Sequence, residues 1–151
     1  MTVTATMDTN ALTRKEANAR GWIPWKAETY NPFDGCKRDM YGVFDYVAIS
    51  NLGIIGIQST TRDNLASHMR KLLESRELEQ WVTRAAQPAL LWCWSRKLKQ
   101  NGEPGRLIGL LEYNIIGSEH GLSAMLVQDQ RFDACPQRRK GNSRVKQVYH
   151  R

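Results

Sequence analysis

Gly42-Val-Phe-Asp-Tyr-Val-Ala-Ile49, followed by Ser50-Asn-Leu-Gly53 and then Ile54-Ile-Gly-Ile-Gln-Ser-Thr60, reads as two strands joined by a tight turn. The first run is rich in β-branched and aromatic residues, and Ser-Asn-Leu-Gly closes a hairpin. The second run is almost continuously apolar, as expected of a strand covered on both faces of a sheet. Side chains repeat every second residue along a strand, so Gln58 and Thr60 share a face. Asp45 stands among Val43, Val47 and Ile49. A charged carboxylate there costs several kcal/mol unless it is paired, hydrogen-bonded or bound to a metal. A backbone amide or Arg38 is the structural partner to expect. Chemically, strands about 4.8 Å apart bring Asp45 and Gln58 to one point, where each offers an oxygen to a hard divalent cation. Such a cation lowers the pKa of a bound water and neutralises charge building on a phosphodiester.

The flanking sequence predicts a helix over about Asn10–Arg20, stopped by Gly21, and an edge strand over Trp22–Thr29, where Pro24 disfavours a central position. Lys26 and Glu28 share a face of that strand. Asn31-Pro-Phe-Asp-Gly35 is a turn cluster. After Thr60 a helix begins near Thr61 or Asp63, with Leu65, Met69, Leu72 and Leu73 on one face. A second helical stretch covers Glu77–Ala86, before Pro88. Ala89–Ser95 is a buried strand and Arg106–Ile116 another, whereas residues 117–136 show no clear period. The expected domain organisation is a frayed segment 1–9, one α/β domain over 10–136, and a basic C-terminal tail over 137–151.

The 151 residues carry 22 Lys and Arg against 15 Asp and Glu, a formal net charge of +7, which favours a polyanionic partner, nucleic acid first. Within the tail, Arg138, Arg139, Lys140, Arg144 and Lys146 are unopposed by any acidic residue, a pattern suited to gripping phosphates or to a solvated tail. Cys36, Cys93 and Cys135 have no CxxC spacing, so neither a zinc knuckle nor a disulfide framework is expected, and a reducing, cytoplasmic interior fits. No run approaches the roughly 18–20 apolar residues of a membrane span, and the N-terminal residues lack the basic and apolar regions of a secretory signal. A phosphate-binding GxxxxGK[ST] loop and a GxSxG nucleophile elbow are both missing.

The hairpin resembles the core of the PD-(D/E)XK nuclease superfamily, most nearly its small phage and archaeal Holliday-junction resolvase-like branch. Trp25-Lys-Ala-Glu28-Thr-Tyr-Asn-Pro, Arg38-Asp39-Met-Tyr-Gly42, Asn64 and His68 extend the likeness, which covers roughly residues 12–95. The resemblance implies a restriction-endonuclease-like αβββαβ core, a mixed central sheet flanked by helices. It implies a Mg²⁺- or Mn²⁺-dependent endodeoxyribonuclease acting on branched or recombining DNA such as four-way junctions, working as a homodimer in the cytoplasm. The motif acid falls on Asp45, and the following Glu or Asp position falls on Gln58. The motif lysine position falls on Thr60, which carries no charge, so Lys26 or Lys71 is the expected substitute. A third metal ligand is expected from Glu28, which shares the sheet with Asp45, in preference to Glu16 of the first helix; Asp39 is a further possible ligand. Catalysis is thus expected from Glu28, Asp45, Gln58, Thr60 and Lys26 or Lys71, with Glu28, Asp45 and Gln58 on the metal. Arg38 and the basic tail would hold DNA. The Leu91–Trp94 strand is a candidate contributor to the dimer, and His68 a base or phosphate contact. The alternative is a catalytically silent nuclease fold serving as a DNA-binding or partner-binding module.

Overall fold

The computed structural model describes residues 7–98, 100–102, 104–131 and 148–150. Helix α1 (Thr9–Ala19) leads into strand β1 (Ile23–Lys26), a short ribbon of β2 (Thr29–Asn31) and β3 (Cys36–Arg38), and the hairpin β4 (Tyr46–Ser50) and β5 (Gly53–Thr61). A single 3₁₀ turn at Arg62–Asn64 opens α2 (Leu65–Leu73), followed by α3 (Arg76–Thr83), β6 (Ala89–Leu98), β7 (Pro104–Ser118), β8 (Gly121–Arg131) and β9 (Val148–His150). Among the described residues seven strands form one sheet in the order β1-β4-β5-β6-β7-β8-β9. Every neighbouring pair is antiparallel except β5 and β6, which run parallel. Parallel neighbours need a crossover, and α2 and α3 supply it. The architecture is therefore α/β, with a mixed sheet between helices.

Each face of the sheet has its own core. Ala17 of α1 packs with Tyr46, Ala48, Ile55, Ile57, Leu90, Trp92, Trp94 and Leu110. On the other face Met69, Leu72 and Leu73 of α2 and Leu78 of α3 meet Phe44, Leu91, Cys93, Tyr113, Ile115 and Leu122. Residues of β5 and β6 are buried on both sides, which is the physical content of their continuous apolar runs. The apolar face of α1 is thin, and a polar lock completes it. Arg20 at its end reaches Glu112 of β7 at 2.6 Å and Glu16 at 3.0 Å, and the Trp92 indole N–H donates to the same Glu112 carboxylate at 2.7 Å. The guanidinium also lies 5.1 and 4.8 Å from the ring centres of Trp22 and Trp92, a cation–π geometry. Glu16 is thereby committed to Arg20.

Several expectations shift. Helix α1 starts at Thr9, capped by the Asp8 carboxylate, which accepts from the Ala11 N–H, so ordered structure reaches into the segment expected to fray. Strand β1 occupies the sheet edge, as Pro24 implied, but ends at Lys26. The β4 strand begins four residues later than the β-branched run suggested, because Tyr41 and Gly42 both take positive φ and turn the chain. Leu91, Trp92, Cys93 and Trp94 lie buried in central strand β6, so they are core and contribute no dimer surface. Strand β8 falls in the stretch without a clear period, and Val148–His150, within the sequence read as a tail, pairs with β8. Arg138, Arg139, Lys140, Arg144 and Lys146 lie outside the described residues.

The buried Phe44 ring, tilted against Trp81 at 4.9 Å, is seated on the bare backbone of Gly56. A Cβ at Gly56 would overlap that ring. Gly56→Ala is expected to cost about 1–3 kcal/mol through overpacking and to lower the thermal midpoint by roughly 3–8 °C in calorimetry. An unchanged midpoint would show that the ring is not seated there.

Candidate active site at the β4–β5 hairpin

Tyr46 pairs with Ile57, which leaves Asp45 opposite Gln58 just before the ladder starts. The Asp45 backbone is held from both sides: its N–H donates to the Ile57 carbonyl at 3.0 Å, and its own carbonyl accepts from the Ala27 and Glu28 N–H groups at 2.8 and 3.3 Å. The side chain is equally fixed. Oδ2 of Asp45 accepts from the Ser59 N–H and hydroxyl, both at 2.8 Å, and from the Gln58 amide at 3.0 Å. Of the two sequence-based partners, a backbone amide is the one realised; Arg38 instead pairs with Asp34.

Asp45 is 8% exposed and Gln58 4%. With its amide nitrogen turned to Asp45, Gln58 leaves its carbonyl oxygen Oε1 buried without a hydrogen-bond partner among the described residues. The turn after β3 folds Asp39 back beside Asp45, with the Asp39 carbonyl accepting from the Gly42 N–H at 2.9 Å. Burial above all, with the nearby Asp39 carboxyl adding to it, pushes the Asp45 pKa up to about 7, against the opposing pull of the Ser59 N–H and hydroxyl. Asp39 also acts on His68 of α2, whose pKa is lowered by burial and by Lys71 and raised by Asp39. Asp45, Asp39, His68 and Lys71 thus form one electrostatically linked group. It lies toward the carboxyl end of β5, the side on which open α/β sheets place their ligands.

The expected site residues separate accordingly. Asp45 and Gln58 are brought together. Lys26 lies opposite Tyr46, on the face packed by α1, and its ammonium is 3.4 Å from Glu28. Glu28 is thus within ion-pair reach of Lys26, although its Oε2 is buried without a hydrogen-bond partner among the described residues, and Asp39 is the carboxylate that acts on Asp45. Lys71, of the two rival lysines, is the one in reach of the group. Thr60 is buried, its hydroxyl bonded to the Thr61 carbonyl at 3.3 Å, and supplies no charge. Sequence reasoning missed Ser59, whose two donors grip Asp45; its position next to Gln58 was the available signal. It also missed a groove of about 420 Å³ lined by Tyr41, Arg76, Glu77, Gln80, Trp81 and Arg84, its Tyr41 two residues along the chain from Asp39.

Among the described residues no group of three or more His, Cys, Asp or Glu side chains is gathered for a metal. The donors present are two carboxyls and an orphaned amide oxygen. That set fits Mg²⁺, which is commonly bound by one or two carboxylates while water and phosphate fill the remaining positions. No family model matches the chain, and no curated protein or solved structure matches it either. Nor is any described helix long and apolar enough to cross a membrane.

The raised Asp45 pKa has a thermodynamic consequence in metal-free protein. Below about pH 4 the carboxyl is protonated whether folded or unfolded. Between the ordinary value of 3.8 and about 7 only the folded state holds the proton, so unfolding releases it and stability falls as pH rises. The loss totals about 4 kcal/mol by pH 8. In EDTA, Asp45→Asn is expected to be more stable than wild type by about 2–4 kcal/mol at pH 8, with the gain vanishing toward pH 4. Denaturant titrations across that range check it, and equal stability at pH 8 would contradict it.

Proposed function

We propose that this chain is a metal-dependent DNA endonuclease with a restriction-endonuclease-like core, acting on branched or recombining DNA. The observation that carries the reading is the buried Asp45 carboxyl, acted on by the half-buried Asp39, beside the unpartnered Oε1 of Gln58. Support comes from the element order, a helix, antiparallel strands β1, β4 and β5, a helical crossover and the parallel strand β6, and from the net charge of +7. A stability cost retained at a hydrogen-bonded site is also characteristic of a functional group.

Asp39, Asp45 and Gln58 Oε1 would hold Mg²⁺ or Mn²⁺, which supplies Lewis-acid activation of water and charge neutralisation at the phosphodiester. Ser59 keeps the Asp45 carboxylate in one orientation. His68, its pKa lowered by burial and Lys71, is neutral at physiological pH and free to accept a proton. Lys71 adds positive charge on the same side, the role expected of the lysine missing at Thr60. Arg76 and Arg84 in the adjoining groove offer phosphate contacts. A two-fold dimer for symmetric cutting would use a surface other than β6.

One observation favours a second reading, a nuclease fold that binds DNA without cutting it: the position of the motif lysine is filled by a buried, uncharged Thr60. Labelled four-way junction, duplex and single-stranded DNA, incubated with Mg²⁺, Mn²⁺ or EDTA, separate the two. Metal-dependent cleavage is expected, falling roughly 100-fold in Asp45→Ala and Asp39→Asn and little in Glu28→Ala. Junction binding with no cleavage in either metal would overturn catalysis and leave the binding module.

A further inference from the structure

The ribbon of β2 and β3 stands apart from the main sheet, and none of its residues belongs to either core. It nevertheless displays aromatic rings. Tyr30 is 63% exposed and Phe33, at the ribbon's tip, 97% exposed; Trp25 before the ribbon and Tyr41 after it are 78% and 62% exposed. Packing explains none of the four.

The tip is built to hold Phe33 outward. Asn31 Oδ1 accepts from the Phe33 N–H at 3.0 Å, Asp34 Oδ1 accepts from the Cys36 N–H at 2.9 Å, and the Asn31 carbonyl accepts from the Gly35 N–H at 2.9 Å. Gly35, at φ 67°, takes a left-handed conformation that suits glycine, and Arg38 ties Asp34 down from β3. A surface already ordered before binding loses little entropy when it is engaged. A cation stands among the rings. Tyr30 lies directly across from Lys37, which has no ion-pair partner among the described residues. Exposed rings beside such a lysine, on a protein of net charge +7, suit a polyanion with flat, stackable groups better than an apolar protein face. Strand β3 then runs directly into Asp39.

We infer that the β2–β3 ribbon is a stacking platform for unpaired nucleotides, with Tyr30 and Phe33 taking bases and Lys37 the intervening phosphate, so that a single-stranded stretch is delivered to the Asp39–Asp45 site. The delivery step rests on the nuclease reading, whereas the binding step does not. The test is fluorescence anisotropy of the full chain in EDTA with a 20-nucleotide oligo(dT), oligo(U) of the same length and a 20-base-pair duplex. Wild type is compared with the double variant Tyr30→Ala/Phe33→Ala. Loss of about tenfold or more in oligo(dT) affinity, a change of less than about twofold on duplex, and an unchanged thermal midpoint are expected. The oligo(U) arm shows whether the platform takes RNA as well as DNA, and equal loss on both strands still supports it. Unchanged oligo(dT) affinity overturns the inference, as does a double variant altered only in oligomeric state by sedimentation, which would make the ribbon a contact between copies. Cleavage by Asp45→Ala at the wild-type rate would sink the nuclease reading and leave the ribbon result standing.

Discussion

A carboxyl group buried between two strands is the costly element around which this molecule is arranged. Asp45 is held through its own backbone to Ile57 on one side and to Ala27 and Glu28 on the other, while its side chain is gripped by Ser59 and Gln58. Ionising that buried acid beside a second acid is unfavourable, and its pKa stands above the ordinary carboxylate value for that reason. The arrangement makes physical sense when a cation or a shared proton offsets the charge. Gln58 adds a buried oxygen that no described residue satisfies.

The sheet makes such a site tenable. Because β5 and β6 are parallel and covered on both faces, the hairpin cannot slip without moving apolar residues out of two cores at once. The Arg20–Glu112–Trp92 lock fixes α1 on one face, and the Phe44 ring on Gly56 fixes the start of β4 against the other. The turn through Tyr41 and Gly42 then carries Asp39 back over the hairpin. A non-glycine residue at φ 57° is strained, and such strain is commonly retained where a side chain must be aimed.

Much of this was legible in the residues. The β-branched runs on either side of Ser50–Gly53, the apolar positions Leu65, Met69, Leu72 and Leu73, and Pro24 at the edge all express strong local rules, and each element formed. Asp45 and Gln58 were legible as neighbours because pairing across a tight hairpin has few registers. Asp39 and Glu28 were not distinguishable in that way: their positions depend on where β1 ends and how the chain turns at Tyr41, which no periodicity encodes. Strand β8 was hidden because small and sulphur-containing residues, Ala124 and Met125, blur its alternation, and a shift in register with β7 lies between Glu112 and Tyr113. The burial of Leu91–Trp94 follows from β6 having strand neighbours on both edges and core on both faces, a property of the sheet rather than of the run itself.

Which acids form the cation site is the point on which the account stands, and calorimetric titration of Mn²⁺ into the metal-free protein addresses it without requiring turnover. Wild type is expected to bind one ion. Asp39→Asn and Asp45→Asn should each weaken that binding by at least roughly tenfold, and Glu28→Gln should leave it unchanged. Binding lost in Glu28→Gln and kept in Asp39→Asn, or no binding by wild type, would contradict the account.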